Sequence, residues 1–462
     1  MSWVVLFVVK ENKYQDENVL VLGLAKSGYQ AAKLLLQLGA SVTVNDTKDL
    51  SNDKDAKELV KLGVSVISGG HPNDLLTIPF DLVVKNPGIP YDNPVVAEAL
   101  KQGLPVITEV EIATAIMESP LITVTGSNGK TTTTSIIHDM LSQDRKKGQA
   151  LAIGNIGVPA SEVALSVKKE DDVIMELSSF QLMGTPTMKP EIAVITNIFS
   201  SHLDYHGTQE AYEDAKMNMI RNQTAEDIVI YNKDQAHLEK LVVSNTDATL
   251  HPFSRKEFLP NGTSVKDDMI YFKEERVADV ADIFVQGLHN VENMLAAISV
   301  AKLKGVSNES IQKVLRHFHG VKHRMQFVTE FNERIFYNDS KATNIEATEN
   351  ALAGFKKPVI LLAGGLDRGN SFDQLVPTLK GHVKALYTFG ETADKMIEAA
   401  KEAGISNIHK LDELKDAVPL AYENSEAGDI LLLSPAAASW DQFANFELRG
   451  DVFIEAVEKL KQ

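Results

Sequence analysis

The chain has 462 residues, which is long enough for about three domains that each bury a core of their own. Hydrophobic residues make up 44% of it and charged residues 24%, values that exclude a disordered, fibrous or membrane-embedded protein. The net charge of −17 argues against nucleic acid or an anionic membrane as a partner, and the absence of cysteine excludes disulfides, thiol catalysis and thiolate metal sites and fits a cytoplasmic location.

The first predicted element is the apolar segment Met1–Val9. It lacks the charged start and the cleavage site of a signal peptide, so we predict a strand or a frayed extension. From Asn18 onward, short β-branched runs alternate with amphipathic stretches, the pattern of a parallel sheet with crossover helices. In the first domain, predicted for residues 1–110, the strands are Asn18–Leu24, Ser41–Asp46, Val64–Ser68, Phe80–Lys85 and Pro105–Thr108. Its helices are Ser27–Leu38, Ala56–Leu62 and Pro94–Lys101, with a turn at Asn86–Gly88.

The same alternation predicts two further α/β domains, at residues 111–320 and 321–462. The second has a doubly wound sheet with strands at Leu121–Thr125, Asp172–Leu177, Glu191–Asn197 and Asp227–Tyr231. Its helices are Thr131–Leu141, Gln209–Arg221, Asn290–Leu303 and Glu309–His317. The third domain has strands at Arg334–Asn338, Val359–Ala363, Ala385–Phe389 and Asp429–Leu433 and a closing helix near Arg449–Lys461. We expect the first and third domains to be Rossmann-like.

A glycine-rich loop between a predicted strand and a predicted helix points to phosphate binding. The loop consists of Gly126, Ser127, Asn128, Gly129, Lys130, Thr131 and Thr132. Its glycines let backbone N–H groups face phosphate oxygens, Lys130 adds a charge, and Thr131 or Thr132 offers a hydroxyl to Mg²⁺. Val124 stands where the strict P-loop pattern has glycine, so this is a shortened form. The alternative is a strand-to-helix turn that only tolerates these residues.

Three further side chains are candidate metal ligands of the central domain. Glu176 ends an apolar strand, where the second metal-side ligand of an ATP site commonly lies, although a surface acid would fit the same pattern. His202 follows another apolar strand, and Lys216 lies on the amphipathic helix after it. A lone histidine is usually structural and a helical lysine usually solvated, so these two alternatives stay open.

The N-terminal segment Gly23–Gly28 resembles a dinucleotide fingerprint, because it follows a strand and opens a helix, with Asp46 at the end of the next strand. Ala25 replaces the middle glycine, which favours a nucleotide-sugar diphosphate over NAD, with a ligand-free helix cap as the alternative. In the third domain, polar residues follow two strands, at Asp339–Asn344 and Ser434–Ser439. Such positions bind ligands in α/β domains, unless both are ordinary turns.

Taken together, these segments resemble the Mur ligase family over nearly the whole chain from Asn18. The most specific pieces are Gly126–Thr132, Gly154–Gly157, Glu176–Gln181, His289–Asn293, His323–Arg324, Asp339–Asn344 and Ser434–Gly450. The last two are most similar to the family member that adds D-glutamate. The resemblance implies three domains, with a P-loop ATPase-type sheet in the centre, and a cytoplasmic, monomeric enzyme of peptidoglycan synthesis.

The implied reaction joins D-glutamate to UDP-N-acetylmuramoyl-L-alanine through an acyl phosphate, at the expense of ATP. The resemblance assigns Lys130 to the phosphates, Thr131 and Glu176 to one Mg²⁺, and His202 with a carbamylated Lys216 to a second Mg²⁺. An unmodified ammonium is no ligand for Mg²⁺, whereas a carbamate is anionic. Asp339 and Lys341 are implied as further catalytic residues.

The remaining implied contacts fall into four groups. Those to adenine and ribose are Asn290, Asn293, Arg324 and Asp339. Those to uridine diphosphate are Ala25, Lys26, Ser27, Gly28, Asp46 and Thr47, and the contact to the muramoyl-alanine end is Asn155. Those to D-glutamate are Thr343, Ser439 and Phe446, with Arg368 where some members have a lysine. A sibling amino-acid ligase, a folate polyglutamate ligase, a nicotinamide oxidoreductase and a non-catalytic nucleotide-binding regulator stay open as alternatives.

Overall fold

The computed structural model describes residues 13–285, 287–355 and 357–461, so the element predicted at Met1–Val9 lies outside the described residues. The chain divides into two compact units, the first ending at Phe318 and the second beginning at His319. Two sheets lie in the first unit and one in the second. All three are largely parallel and flanked by helices, which confirms the predicted α/β class. No helix among the described residues is long and apolar enough to cross a membrane.

The first sheet is fully parallel and has the strand order β3-β2-β1-β4-β5. Its strands are β1 (Asn18–Leu22), β2 (Ser41–Asp46), β3 (Ser65–Ser68), β4 (Leu82–Lys85) and β5 (Val106–Ile107). Its helices are α1 (Lys26–Gln37), α2 (Lys54–Lys61) and α3 (Pro94–Lys101), and a single 3₁₀ turn spans Leu75–Thr77. The chain reverses its direction of winding between β1 and β4, and sheets of this kind bind ligands in the crevice at that point.

β1 ends two residues earlier than predicted, because Gly23 adopts a left-handed φ of +91° that breaks the strand. α1 then begins at Lys26, and Gly28 in its first turn lies directly over the loop. A Cβ on Gly28 would overlap the carbonyl oxygen of Gly23. These two glycines therefore set how closely the loop approaches the helix.

The second sheet has the strand order β14-β13-β12-β11-β10-β9-β6-β8-β7, parallel from β7 to β12 and antiparallel beyond. Its strands are β6 (Leu121–Thr125), β7 (Ala150–Gly154), β8 (Asp172–Glu176), β9 (Ile192–Ile195), β10 (Ile228–Asn232), β11 (Thr249–Ser254), β12 (Thr263–Lys266), β13 (Met269–Phe272) and β14 (Glu275–Asp279). Its longer helices are α4 (Glu109–Ile116), α5 (Lys130–Leu141), α9 (Gln209–Met217), α10 (Ala236–Asn245), α11 (Leu288–Leu303) and α12 (Asn308–His317). The short helices are α6 (Ala160–Val163), α7 (Ser179–Leu182) and α8 (Leu203–His206), and Val280–Asp282 forms a 3₁₀ turn.

One continuous hydrophobic core joins the first two sheets. It runs from Val21 on β1 and Leu35 on α1, through Ile112 on α4 and Ala160 on α6, to Val173 on β8. This shared core explains why the first two predicted domains form a single compact unit. The boundaries predicted near residues 110 and 320 stay predictions.

The second unit contains a six-stranded sheet of order β15-β16-β20-β17-β18-β19, antiparallel only between β15 and β16. Its strands are β15 (Gln326–Phe331), β16 (Arg334–Asn338), β17 (Val359–Gly364), β18 (Val383–Phe389), β19 (Ile408–Lys410) and β20 (Ile430–Leu433). Its helices are α13 (Ile345–Ala353), α14 (Val376–His382), α15 (Ala393–Glu402), α16 (Leu414–Glu423) and α17 (Phe446–Lys459), with a 3₁₀ turn at Asp373–Leu375. Separate apolar clusters cover its two faces, as a doubly wound sheet requires.

We predict that Gly28→Ala destabilises the first unit by roughly 1–3 kcal/mol, although alanine normally favours a helix over glycine. The reason is the overlap of the new Cβ with the Gly23 carbonyl. Gly381→Ala is the matched control, because Gly381 also lies in a helix and a Cβ added to it would have no other heavy atom within 4 Å. Thermal unfolding measures both, and equal stability of the two variants would contradict the packing argument.

Candidate active site

The predicted phosphate loop connects β6, which lies between β9 and β8 in the second sheet, to the start of α5. Gly126 and Gly129 adopt φ values of +149° and +81°, which disfavour other residues. A Cβ on Gly126 would overlap the Thr196 hydroxyl oxygen, and one on Gly129 would overlap Oδ1 of Asn293. The backbone geometry and the close neighbours therefore both require glycine at these two positions. A turn that merely tolerates glycine would not show this requirement.

The end of the neighbouring strand β9 holds the loop in place. The Ser127 N–H donates to the Asn197 carbonyl at 2.9 Å, and the Asn128 N–H donates to Asn197 Oδ1 at 2.9 Å. The Thr196 hydroxyl donates to the Asn128 carbonyl at 2.6 Å. Bonds to the residues that follow β9 thus shape the loop.

Two lysine side chains reach the same backbone carbonyl of the loop. Nζ of Lys130 donates to the carbonyls of Gly126 at 2.8 Å and Ser127 at 2.9 Å. Nζ of Lys216, from α9, donates to the Gly126 carbonyl at 2.9 Å and to the Thr125 hydroxyl at 3.3 Å. The helical lysine therefore lies at the loop and is almost fully buried, so it does not belong to a solvated helix face.

Burial lowers the pKa of the Lys216 ammonium well below its ordinary value. The positive charge of Lys130 lowers this pKa further, and the negative charge of Glu176 raises it. Nζ of Lys216 also lies 4.8 Å from the centre of the Tyr212 ring, one turn earlier on α9. Such surroundings favour the neutral, nucleophilic form of the amine.

Glu176 ends β8, next to β6, where it pairs in register with Val124. Its side chain is 1% exposed, so it is not the surface acid that the sequence also allowed. Oε1 accepts a hydrogen bond of 2.7 Å from Nδ2 of Asn155. Oε2 is buried and accepts no hydrogen bond from any described residue, which leaves a buried carboxylate oxygen available to a cation.

His202 precedes α8 in a left-handed conformation, with φ of +55°. Its ring lies 5.0 Å from the Phe180 ring and 6.3 Å from the Tyr212 ring, measured between centroids. The Tyr212 hydroxyl is 2.8 Å from Oγ of Ser127 in the phosphate loop. Tyr212 therefore lies between His202 and the phosphate loop. This tyrosine was not predicted from the sequence as a residue of the site.

The donor set suits Mg²⁺, a hard cation that prefers oxygen ligands. The partly satisfied Glu176 carboxylate is close to the loop that contains Thr131, and both residues are buried. Among residues 13–285, 287–355 and 357–461, no three His, Asp or Glu side chains form a metal cluster of their own. An ion here would complete its shell with hydroxyl, phosphate or water oxygens.

Asn290 and Asn293, predicted to contact the nucleotide, lie in the first turns of α11. Oδ1 of Asn293 accepts a bond of 3.3 Å from the Thr133 hydroxyl on α5, and its Nδ2 donates to Oδ1 of Asn290 at 3.4 Å. Because Asn293 also touches Gly129, the pair lies beside the start of α5. This position is at the phosphate loop, within the first unit.

The predicted uridine site lies at the switch point of the first sheet. Nδ2 of Asn86, after β4, donates to the Ser27 hydroxyl at 3.2 Å, and Asp46 accepts the Leu24 N–H at 2.7 Å. Ala25, Lys26 and Thr47 are exposed, whereas Gly28 is buried and acts through packing. Nζ of Lys26 donates to the Gly157 carbonyl at 3.0 Å, which brings this loop to the segment that contains Asn155.

In the second unit, Asp339 lies at the end of β16 and is 5% exposed. Its carboxylate accepts bonds of 3.0 Å from the Met325 N–H and from the Ser434 hydroxyl. Burial nevertheless raises its pKa to about 7, although the nearby Arg324 charge opposes that change. Arg324 and Asp339, both predicted to contact the nucleotide, are thus neighbours.

The fully buried Arg449 of α17 links three loops at the carboxyl edge of this sheet. Its guanidinium donates to the Ser340 carbonyl at 2.8 Å and hydroxyl at 3.1 Å, to the Ala437 carbonyl at 3.0 Å and to the Gly364 carbonyl at 3.3 Å. These loops follow β16, β17 and β20. Burial lowers the pKa of Arg449 to about 10.

The residues predicted to bind D-glutamate lie on these three loops and at the start of α17. The Arg368 guanidinium stacks on the exposed Trp440 ring at 4.9 Å, next to the buried Ser439. Nζ of Lys341 lies 5.4 Å from the Phe446 ring, and the Ser340 hydroxyl donates to the Phe446 carbonyl at 2.7 Å. Thr343 is half-buried in the turn after β16. The two polar segments therefore share one sheet edge.

Three family models match consecutive parts of the chain. They describe a Mur ligase MurD-like N-terminal domain at residues 17–108, a Mur ligase middle domain at 124–301 and a Mur ligase glutamate ligase domain at 323–437. A UDP-N-acetylmuramoylalanine--D-glutamate ligase of Lactiplantibacillus plantarum is 55% identical over 97% of this chain and 97% of that protein. The chain belongs to the Mur ligase family.

Further relatives agree with this membership, which confirms the family predicted from the sequence. A protein of the same name from Latilactobacillus sakei is 56% identical, covering 97% of this chain and 99% of its own, and one from Enterococcus faecalis is 54% identical, covering 98% and 99%. The structure of UDP-N-acetylmuramate-alanine ligase from Thermotoga maritima matches with a TM-score of 0.56 at 18% identity, over 96% of this chain and 100% of that one. At this identity the structural likeness supports the three-domain Mur ligase fold alone.

Several residues of the site were not found from the sequence. Asn197 carried a usable signal, because it ends an apolar strand and ligands bind at the carboxyl ends of strands. Tyr212 carried none, since an aromatic residue on an amphipathic helix usually packs, and Arg449 was noted only as part of the family segment Ser434–Gly450, with no role of its own. Asn86 was predicted only as part of a turn.

We predict that Asp339→Asn raises the melting temperature at pH 8 by about 5 °C and that the gain disappears near pH 4. The folded state holds the Asp339 proton up to a pKa of about 7, above the unfolded value, so the wild type loses stability as the pH rises from about 4 to about 7. Asparagine has no charge to bury. The exposed Glu398→Gln on α15 is the control, and a gain that is independent of pH would contradict this account.

Proposed function

We propose that this Mur ligase joins D-glutamate to UDP-N-acetylmuramoyl-L-alanine, with ATP converted to ADP and phosphate. The relatives named UDP-N-acetylmuramoylalanine--D-glutamate ligase are 54–56% identical over nearly full length, which supports the choice of both substrates. The observation that carries the proposal is the convergence of Lys130, Lys216 and the buried Glu176 on a phosphate loop. The cytoplasmic location and monomeric state expected from the sequence stay predictions.

The chemistry needs an activated carboxylate, because a free carboxylate is a poor electrophile. One oxygen of the alanyl carboxylate attacks the γ-phosphorus of ATP, the bond to the β-phosphate oxygen breaks, and ADP leaves. The D-glutamate amine then attacks the carbonyl carbon of the acyl phosphate, loses a proton, and expels phosphate as the amide forms. Both steps bring anions together, so the site must neutralise negative charge.

The first unit offers the groups that the first step requires. The backbone N–H groups at the start of α5 would face the phosphates, and Lys130 would supply a full positive charge, whereas the Ser127 and Asn128 N–H groups are bonded to Asn197. Thr131 and Glu176 would hold one Mg²⁺, which neutralises phosphate charge when bound. His202 and Lys216 would hold a second Mg²⁺, with Lys216 as a carbamate: its neutral amine attacks the carbon of CO₂ and loses a proton, which leaves an anionic oxygen ligand.

The other predicted residues would contact the two substrates and the adenosine part of ATP. Ala25–Gly28, Asp46 and Thr47 would bind uridine diphosphate at the switch point of the first sheet, and Asn155 would face the muramoyl-alanine end. Asn290, Asn293, Arg324 and Asp339 would contact adenine and ribose. In the second unit, Thr343, Ser439 and Phe446 would hold D-glutamate, with Lys341 close by and the Arg368 guanidinium in the role of a carboxylate-binding lysine.

The decisive experiment measures ADP and phosphate release with both substrates present and with each omitted. We expect release only when UDP-N-acetylmuramoyl-L-alanine and D-glutamate are both present, with formation of the amide product by mass spectrometry. Replacement of D-glutamate by L-lysine, or of the nucleotide-sugar substrate by a folate, distinguishes the sibling ligases. Release that continues without D-glutamate would refute the proposal, and ATP binding without turnover would instead indicate a regulator.

We predict that Lys216→Ala lowers turnover by about 100- to 1,000-fold and that added bicarbonate does not restore it. Small carboxylates such as formate partly restore it, because they supply the anionic oxygen that a carbamate would provide. ¹³C NMR of the wild type in ¹³C-bicarbonate measures the carbamate directly. The exposed Lys240→Ala on α10 is the control, and turnover of Lys216→Ala equal to that of this control would exclude the carbamate.

A further inference from the structure

A buried lysine in the first unit has no part in the proposed chemistry. Lys85 ends β4, at the switch point of the first sheet, and its side chain is 1% exposed. Among the described residues, no acidic side chain forms an ion pair with it. Burial of a charged group without a counter-ion is costly, and a lysine that only filled space would be better replaced by an apolar residue.

The Lys85 ammonium is instead held by neutral oxygens from two parts of the chain. It donates to the Ile89 carbonyl at 2.8 Å, to the Pro87 carbonyl at 3.3 Å and to the Tyr205 hydroxyl at 3.3 Å. It also lies 4.6 Å from the centre of the Tyr91 ring. Burial lowers its pKa to about 8, so the donating, protonated form still prevails at neutral pH.

Tyr205 belongs to α8, the short helix that begins immediately after His202. Its hydroxyl lies 2.9 Å from the Ile89 carbonyl and 3.1 Å from the Pro87 carbonyl, so it donates to this loop while it accepts from Lys85. No residue of α8 is fully buried. This cluster therefore helps to hold α8, together with ring packing against Phe180 and the bond between His206 and Ser179.

The loop on the other side of Lys85 belongs to the proposed uridine site. The Asn86 side chain donates to the Ser27 hydroxyl, and Ile89 and Asn86 pack against the position where Gly23 lacks a side chain. The Asn86 N–H also donates to the Leu22 carbonyl at 2.8 Å, at the end of β1. The Asn86–Ile89 loop is thus bonded to the nucleotide-sugar loop at one end and to α8 at the other.

We propose that Lys85 is a positioning residue that fastens the nucleotide-sugar loop to α8, so that one contact sets both the uridine site and the place of His202. This inference rests on the proposed function, which assigns those two sites. Lys85 touches no reacting atom; it acts through Asn86 on one side and through Tyr205 on the other. Loss of either the ammonium or the Tyr205 hydroxyl then loosens both sites together.

The test is a double-mutant cycle of Lys85→Met and Tyr205→Phe. Calorimetry measures the Kd for UDP-N-acetylmuramoyl-L-alanine, electron paramagnetic resonance measures the Kd for Mn²⁺ as a probe of the metal site, and turnover gives the KM for each substrate. We expect each single variant to raise both Kd values about fivefold and the double variant to be no worse than Lys85→Met. The KM for D-glutamate should stay within about twofold. Lys101→Met is the control, since the Lys101 side chain is 79% exposed.

Two results would overturn the inference. The first is a double variant in which the fold-changes in Kd equal the product of the two single fold-changes. The second is a lower melting temperature with unchanged Kd values, as a purely structural role predicts. If Lys85→Met does not fold, Tyr205→Phe keeps the ring and must still raise both Kd values. If the wild type ligates D-glutamate but the effects of the two substitutions are independent, only this inference is wrong. If the wild type does not bind the nucleotide-sugar, the proposed function is wrong, and this inference is wrong with it.

Discussion

Lys130, Lys216 and Glu176 surround one phosphate loop, and Lys216 and Glu176 are almost fully buried. A charged Lys216 would repel the nearby charge of Lys130 at a place that water hardly reaches, and the fold must offset that repulsion. The structure meets this demand with backbone carbonyls: the Gly126 carbonyl accepts from both lysines. The same demand favours a neutral or modified Lys216, and it makes the arrival of anionic phosphate favourable.

Other parts of the first unit hold the phosphate loop and the residues around it in place. The segment after β9 supplies Thr196 and Asn197 to shape the loop, β8 supplies Glu176, and the shared core fixes the first sheet against the second. In the second unit, polar loops also meet at one end of a sheet. Hydrogen bonds from Arg449 join the loops after β16, β17 and β20. Parallel strands bring their carboxyl ends to one edge, and polar residues placed after them meet there.

The fold class was predictable from the sequence, because buried parallel strands are apolar β-branched runs, and the family was predicted from the resemblance of whole motifs to those of known Mur ligases. The strands β7, β11 to β15 and β19 were not predicted. Among them, β12 to β14 have four or five residues each and turn through Asp267, Asp268 and Lys273 at positive φ. α9 ends at Met217 and not at Arg221, because its last predicted residues form turns that periodicity does not distinguish from helix. The burial of Lys216 was likewise hidden, as an exposed helical lysine has the same pattern. Lys85 was assigned only to a strand end, because its importance depends on Tyr205, 120 residues away.

Most of the bonds donated by Arg449 end on backbone oxygens, which are present whatever side chain a residue has. Exposed side chains on the three loops, Arg368 and Trp440 among them, can therefore change during evolution while the sheet edge stays assembled. A ligase built in this way can alter which amine it accepts by exchanging loop residues one at a time. The arginine itself has no such freedom, so divergence in specificity would accumulate around it while it stays constant.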